Sequence, residues 1–306
     1  MLLAAGSGFE RLAAQRDAQR LKPQGRWLDV GGYRRHVHAT GNGGPTVVLE
    51  AGASAYSGVW DWVQGEVAQH TRVLSYDRAG LGFSEAVDGV RDAATVAREL
   101  KMLLVQSGEV GPYVLVGHSY GALFVSEFAE LYPQDVAGLV LVDGTHPDQV
   151  ERSRELRESM NLFRNVFHLA AHVADFGVMR FIGVFSAMAE GLPAERLEEA
   201  KSLYASGRHL ESSARELDAW RESAAQARSA RLGSFPKLFL SASGPDTPQV
   251  RDLTTLHREL ANRHPGAEHR ILPGTSHITM VTHRDQAKLV AGAILEIVAQ
   301  VRARRD

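Results

Sequence analysis

The pentapeptide Gly117-His118-Ser119-Tyr120-Gly121 is the stretch of this sequence with the clearest chemical potential. It follows strand-forming residues at 113–116 and precedes apolar residues at helical spacing over 122–131. A sharp turn between a strand and a helix lifts a serine hydroxyl to the carboxyl end of the strand. There, the backbone N–H of Tyr120 and the helix dipole can stabilise a negative oxygen. The pattern therefore predicts that Ser119 is a nucleophile.

The composition is that of an ordinary globular enzyme. Of the 306 residues, 44% are apolar and 23% are charged, and the net charge is −2, which does not favour nucleic acid as a partner. The absence of cysteine excludes disulfides, thiolate nucleophiles and cysteine-based zinc sites. The pairs His36/His38 and His264/His269 have no carboxylate at metal-site spacing. We therefore expect neither a metal nor another cofactor.

The N-terminal segment begins with apolar residues, but Glu10 and Arg11 interrupt it before it could span a bilayer. It also lacks the basic start and long apolar stretch of a secretory signal. We expect residues 1–25 to form a helical extension, with a short polar helix over 10–22. We also expect a cytoplasmic protein without stable membrane insertion. The sequence leaves the number of subunits open.

Runs typical of strands alternate with runs typical of helices along most of the chain. Strands are predicted at 27–30, 33–39, 46–50, 73–76, 113–116, 136–142, 237–241 and 269–272, and helices at 58–70, 92–106, 122–131, 247–262 and 284–302. This alternation predicts a mostly parallel sheet with helices on both faces. It stops between 144 and 233, where we expect an inserted helical lid. The first part of the lid (160–188) is rich in Phe and Met, and the second part (193–232) is predicted to face solvent.

The chain resembles the α/β-hydrolase superfamily in a series of motifs, which in order are TVVLEAG, YDRAGLGFS, YVLVGHSYG, LVLVD, LFLSASGPD and ILPGTSH. Within that superfamily it is most similar to serine carboxylesterase-like members with a helical cap. The resemblance covers about residues 27–302, and the serine pentapeptide is its most specific part. It implies an α/β-hydrolase fold with an eight-stranded, mostly parallel sheet. The core would comprise 26–143 and 234–306, and the cap would comprise 144–233.

His277 is the candidate base. A serine hydroxyl needs a base within hydrogen-bond reach, and the base needs an orienting carboxylate. His277 lies in a glycine-containing loop between a predicted strand and the last helix, where the resemblance places the catalytic histidine. His283 is its nearest rival among the 13 histidines, and His118 is not expected to aim back at the serine.

The carboxylate is expected to follow a strand that lies between nucleophile and base in the sequence. Asp246 fits, because it follows the strand at 237–241 and leaves room for one helix and one strand before His277. Asp143, at the end of the strand at 136–142, is the alternative, since some superfamily members take the acid from that position. We predict that Asp246 is the acid and keep Asp143 open.

Acyl transfer also needs two N–H donors for the developing oxyanion. Tyr120 supplies one. The resemblance places the second at Ala53, although this chain has Ala51-Gly52 where members commonly have His-Gly. Tyr56 and Trp60 could line the site or could equally well pack as ordinary core residues.

Together, these residues predict a hydrolase that cleaves small apolar carboxylic esters through an acyl-enzyme. A lactonase, a thioesterase or a C–C bond hydrolase would use the same triad, and the sequence does not define the acyl or alcohol group. Epoxide hydrolases and haloalkane dehalogenases are disfavoured, because their elbow has Asp where this chain has Ser119. The alternative from another class is a ligand-binding protein without turnover, against which the set Ser119, Asp246 and His277 argues.

Overall fold

The computed structural model describes residues 2–304 and contains an eight-stranded sheet. Its strands are β1 (Arg26–Val30), β2 (Tyr33–Thr40), β3 (Val47–Glu50), β4 (Val73–Tyr76), β5 (Tyr113–His118), β6 (Val136–Val142), β7 (Lys237–Ala242) and β8 (Ala267–Leu272). They lie in the order β1-β2-β4-β3-β5-β6-β7-β8. The pairs β1–β2 and β2–β4 are antiparallel, and the remaining neighbours are parallel. The predicted eight-stranded, mostly parallel sheet is confirmed.

Helices cover both faces of this sheet, and further helices precede β1 or lie between β6 and β7. They are α1 (Leu2–Arg20), α2 (Asp61–Val67), α3 (Ala93–Ser107), α4 (Gly121–Leu131), α5 (Gln149–Arg152), α6 (Arg154–Ala174), α7 (Val178–Ile182), α8 (Ala194–Leu203), α9 (Gly207–Asp218), α10 (Trp220–Ser229), α11 (Pro248–Arg263), α12 (Thr279–Thr282) and α13 (Arg284–Ala303). Successive residues of a strand point to opposite faces. Val47 and Leu49 accordingly pack with α2 and α13, whereas Val48 packs with α3 and α4. The central strands are short runs of Val and Leu because both of their faces are buried.

The segment between β6 and β7 is helical throughout its described regular structure and contributes α5 to α10. The prediction that its second half faces solvent is wrong. His209 and Glu216 on α9 are buried, and Arg196 on α8 is only 5% exposed. The charges of Arg196 and Glu216 are paired with residues outside the insert, since Arg196 Nε donates to Asp61 Oδ1 at 2.9 Å and Arg78 Nε donates to Glu216 Oε1 at 2.8 Å. The Ala, Glu and Arg content of a helix does not reveal whether its charged side chains face water or pair with buried partners.

The N-terminal helix α1 begins earlier than predicted and lies against the helices between β6 and β7. Arg180 on α7 pairs with Glu10 at 2.7 Å and with Asp17 at 2.5 Å, and the ring of Phe9 stacks on Phe181 at 5.4 Å. These contacts attach α1 to α7. Within residues 2–304, none of the helices combines the length and the apolar character that crossing a bilayer demands.

Candidate active site

Ser119 occupies the turn between β5 and α4, with a φ of 52°. Residues other than glycine rarely adopt this left-handed conformation, so the surrounding structure must hold it. The Ser119 N–H donates to the carbonyl oxygen of Val142 at 3.1 Å, and its carbonyl accepts from the N–H of Thr145 at 2.8 Å. Strand and helix approach closely here, since a Cβ on Gly117 would lie 2.8 Å from the carbonyl oxygen of Gly121. The turn therefore presents the hydroxyl at the carboxyl edge of the sheet.

His277 lies in the loop between β8 and α12 and reaches Ser119. Its Nε2 is 2.9 Å from Ser119 Oγ, and its Nδ1 is 2.7 Å from Asp143 Oδ2. The carboxylate can only accept, so Nδ1 carries a proton and Nε2 is free to accept the serine proton. The structure thus brings together a hydroxyl nucleophile and two residues, His277 and Asp143, that could activate it.

The carboxylate that contacts His277 is Asp143, so the structure contradicts the prediction of Asp246. The side chain of Asp246 is 82% exposed and pairs with Arg251 at 2.5 Å. The loop after β7 is bonded to the loop that carries His277, since the N–H of Gly244 donates to the carbonyl oxygen of Thr275 at 2.8 Å, but the Asp246 side chain itself points into solvent. Asp143 directly follows β6, the immediate neighbour of the strand that carries the serine.

Asp143 is buried, and both oxygens of its carboxylate accept hydrogen bonds. Its backbone φ is 44°, which makes it a second strained position at the same edge of the sheet. Its Oδ1 accepts from the N–H of Ala242 at 3.0 Å. Burial alone would raise the pKa of Asp143, but the hydrogen bond and the charge of His277, with help from His257, hold this pKa below its usual range. The carboxylate therefore stays ionised and oriented toward His277.

His118 has a role that the sequence did not suggest. Its Nε2–H donates to the carbonyl oxygen of His277 at 2.8 Å, and the two rings lie 4.9 Å apart. Burial and the neighbouring His277 lower the pKa of His118 to about 3, so it is a neutral donor. It holds the loop that carries His277. The only signal in the sequence was its position beside the serine.

Ala53 and Tyr120 border the same cavity as Ser119 and His277. Within residues 2–304, neither backbone N–H has a protein acceptor, so both are free to bind a ligand oxygen. Tyr56 and Trp60, by contrast, do not line the cavity. They are buried core residues.

The cavity over the serine has a volume of about 550 Å³. Its walls are mainly apolar. Those from α6 are Leu156, Met160 and Phe163, and those from α11, α12 and neighbouring segments are Val250, Leu253, Ile278, Val281 and Met188. Among the described residues that line it there is no Lys, Arg or Glu, and its one carboxylate is that of Asp143.

Nowhere in residues 2–304 do three His, Asp or Glu side chains cluster so as to hold a metal ion. The site therefore consists of a serine, a histidine and an aspartate below a chamber whose other lining residues include no Lys, Arg, Asp or Glu.

The chain is similar in sequence to known hydrolases. A family model described as the alpha/beta hydrolase family matches residues 37–293. An AB hydrolase superfamily protein of Gibberella zeae is 35% identical over 145 residues, covering 46% of this chain and 43% of the relative. A 2-hydroxy-6-oxo-2,4-heptadienoate hydrolase of Pseudomonas putida is 29% identical over 121 residues, covering 39% and 44%.

Solved structures extend the likeness over most of the chain. A thermophilic esterase from Thermogutta terrifontis superposes with a TM-score of 0.63 at 21% identity, covering 91% of this chain and 99% of that one. At this identity the likeness concerns the fold alone. The sequence matches span less than half the length of the curated relatives.

Proposed function

This chain belongs to the alpha/beta hydrolase family, and from that premise we propose that it is a serine hydrolase that cleaves carboxylic esters of apolar small molecules. The observation that carries the proposal is the hydrogen-bonded chain from Ser119 Oγ through His277 to Asp143, at 2.9 and 2.7 Å. A base within this distance of a hydroxyl, itself oriented by a buried carboxylate, is the arrangement that activates serine for acyl transfer.

The reaction proceeds through an acyl-enzyme. Ser119 Oγ attacks the ester carbonyl carbon while its proton passes to His277 Nε2. The carbonyl electrons move onto oxygen, and the N–H groups of Ala53 and Tyr120 donate to that oxyanion. His277, held by Asp143, then gives its proton to the departing alcohol. Water then attacks the acyl carbon while its proton passes to His277 Nε2. The bond from that carbon to Ser119 Oγ breaks, Oγ takes the proton back from His277, and the acid is released.

The chamber supports an uncharged substrate. Its apolar lining can bury acyl and alcohol groups, and Met160 and Met188 adapt to different shapes because their side chains are unbranched and flexible. A heptadienoate, the substrate class named for the Pseudomonas putida relative, brings a carboxylate that no lining cation here would neutralise. The lining therefore favours a neutral ester over an anionic substrate with a C–C bond to be cleaved.

A panel of 4-nitrophenyl esters of increasing acyl length tests this proposal. The wild-type protein should release 4-nitrophenolate, and Ser119→Ala should remove that activity while the melting temperature stays unchanged. Turnover that persists in Ser119→Ala would place the nucleophile elsewhere. A wild-type protein that is stabilised by an ester without hydrolysing it would instead be a binding protein.

A further inference from the structure

Arg78 is a buried cation outside the catalytic triad, in the turn that follows β4, and it is only 3% exposed. Its guanidinium has five N–H groups, and all five have acceptors. Nε and one Nη2 hydrogen bind the carboxylate of Glu216 at 2.8 and 2.9 Å. One Nη1 hydrogen binds Glu50 at 2.6 Å. The remaining two bind backbone carbonyls, those of Ala51 at 2.7 Å and Gly52 at 2.8 Å.

The bond to the Gly52 carbonyl fixes the direction of a second group. That carbonyl shares a planar peptide unit with the N–H of Ala53, and in a trans peptide the two point in opposite directions. By binding the Gly52 carbonyl oxygen, Arg78 therefore sets the direction of the Ala53 N–H on the opposite side of the same peptide unit. A charged donor on the oxygen also polarises the peptide and makes its N–H a stronger donor.

The partner of Arg78 on α9 also binds the side chain of Tyr120, whose backbone N–H is the other oxyanion donor. The backbone carbonyl of Glu216 accepts from the Tyr120 hydroxyl at 3.1 Å. Glu216 thus contacts the Ala53 peptide through Arg78 and contacts the Tyr120 residue directly. Because α9 lies between β6 and β7, the helical insert is connected to both sides of the oxyanion site.

We propose that Arg78 is a positioning residue that aims the Ala53 N–H at the oxyanion, and that Glu216 of α9 holds Arg78 in place. This inference rests on the proposed ester hydrolysis. If Glu216 holds Arg78, then α9 must be in place for the Ala53 N–H to stabilise the transition state. The ester in its ground state has no oxyanion, so the expected effect falls on kcat and leaves KM nearly unchanged.

The test compares Arg78→Lys with Arg91→Lys. Arg91 is equally buried and pairs with Glu99 at 2.5 and 2.9 Å, but it binds neither Ala51 nor Gly52. Two readouts are measured: kcat and KM on a 4-nitrophenyl ester, and affinity for a trifluoromethyl ketone, which forms a tetrahedral adduct bearing the oxyanion. Arg78→Lys should lower kcat by about 10- to 100-fold and weaken the ketone by a similar factor. Arg91→Lys should lower the melting temperature yet keep both readouts within about twofold.

Glu216→Gln provides a second variant that keeps the Gly52 bond but loosens Arg78, and it should lower both readouts by about 3- to 10-fold. If Arg78→Lys does not fold, this variant decides the question. Wild-type kcat and ketone affinity in a folded variant would overturn the proposal, as would an equal loss in Arg91→Lys. A wild-type protein that hydrolyses no ester would refute the enzymatic function, and this inference with it.

Discussion

Replacing Asp143 with Asn should disable the base while leaving its surroundings in place. The Ala242 N–H would keep the amide oxygen at the position of Oδ1, because that bond is 3.0 Å long and buried. The amide NH₂ would then face His277 Nδ1 across the present 2.7 Å contact, and two donors would oppose each other. His277 would respond by carrying its proton on Nε2, where it cannot accept the proton of Ser119.

The expected loss is about 10⁴-fold in kcat, equivalent to roughly 5.4 kcal/mol of transition-state stabilisation. KM should change little, since Asp143 lies behind His277 and is only 6% exposed. Steady-state hydrolysis of a 4-nitrophenyl ester measures both quantities. Thermal unfolding checks that the variant folds.

Asp246→Asn is the matched control. Its carboxylate is largely in water and contacts Arg251, so the same substitution should alter kcat by no more than about twofold. The reasoning is refuted if Asp246→Asn loses more activity than Asp143→Asn, or if Asp143→Asn retains more than about a tenth of the wild-type kcat.

Three further predictions concern the loop beside the serine, the substrate charge and the stability. Gly52→Ala would place a Cβ 3.0 Å from Ser119 Cβ, so kcat should fall by about 10-fold or more in ester assays, and an unchanged kcat would argue against this contact. A 4-nitrophenyl ester of adipate with a free carboxylate should have a kcat/KM about 100-fold below that of its terminal carboxamide, and equal values would mean that charge is not sensed. Burial, assisted by Arg208, lowers the pKa of His209 from 6.5 to about 4. The unfolded chain therefore binds a proton in that interval and the folded chain does not, so stability should fall as the pH drops from 6.5 to 4. Near pH 5 this single group should cost about 2 kcal/mol in urea unfolding, and His209→Gln should reduce the pH dependence.

The strands and the serine turn were predictable because their signals are local. Short Val- and Leu-rich runs bounded by breakers specify buried parallel strands. The turn at Ser119 is specified by the pentapeptide itself, since small residues at Gly117 and Gly121 are required by the close approach of strand and helix. The strands and the serine turn predicted from such local segments therefore match those of the structure.

The acid was not predictable from local signals. Asp143 and Asp246 follow β6 and β7, which are adjacent parallel strands and therefore end at the same edge of the sheet. The order of residues along the chain thus permits either carboxylate to be the acid. The choice depends on a backbone φ of 44° at Asp143 and on the solvent-exposed position of the Asp246 side chain, which pairs with Arg251. Both features arise from tertiary contacts and have no signature in the neighbouring residues.

The burial of α9 was hidden for a related reason. Glu216 resembles an ordinary surface residue of a charged helix, and its partner Arg78 is 138 positions away in the sequence. A buried ion pair becomes recognisable only when both partners have been placed. The position of Arg78, two residues after the buried strand β4, was the available hint.

The central claim is that Ser119 is activated by His277 and Asp143, and labelling with a fluorophosphonate tests it most directly. Mass spectrometry of the intact protein and its peptides should find one adduct, on Ser119, formed rapidly in the wild type and in Asp246→Asn. The rate should collapse in His277→Ala and in Asp143→Asn. An adduct on another residue, or labelling of Ser119 that is equally fast without His277, would contradict the account.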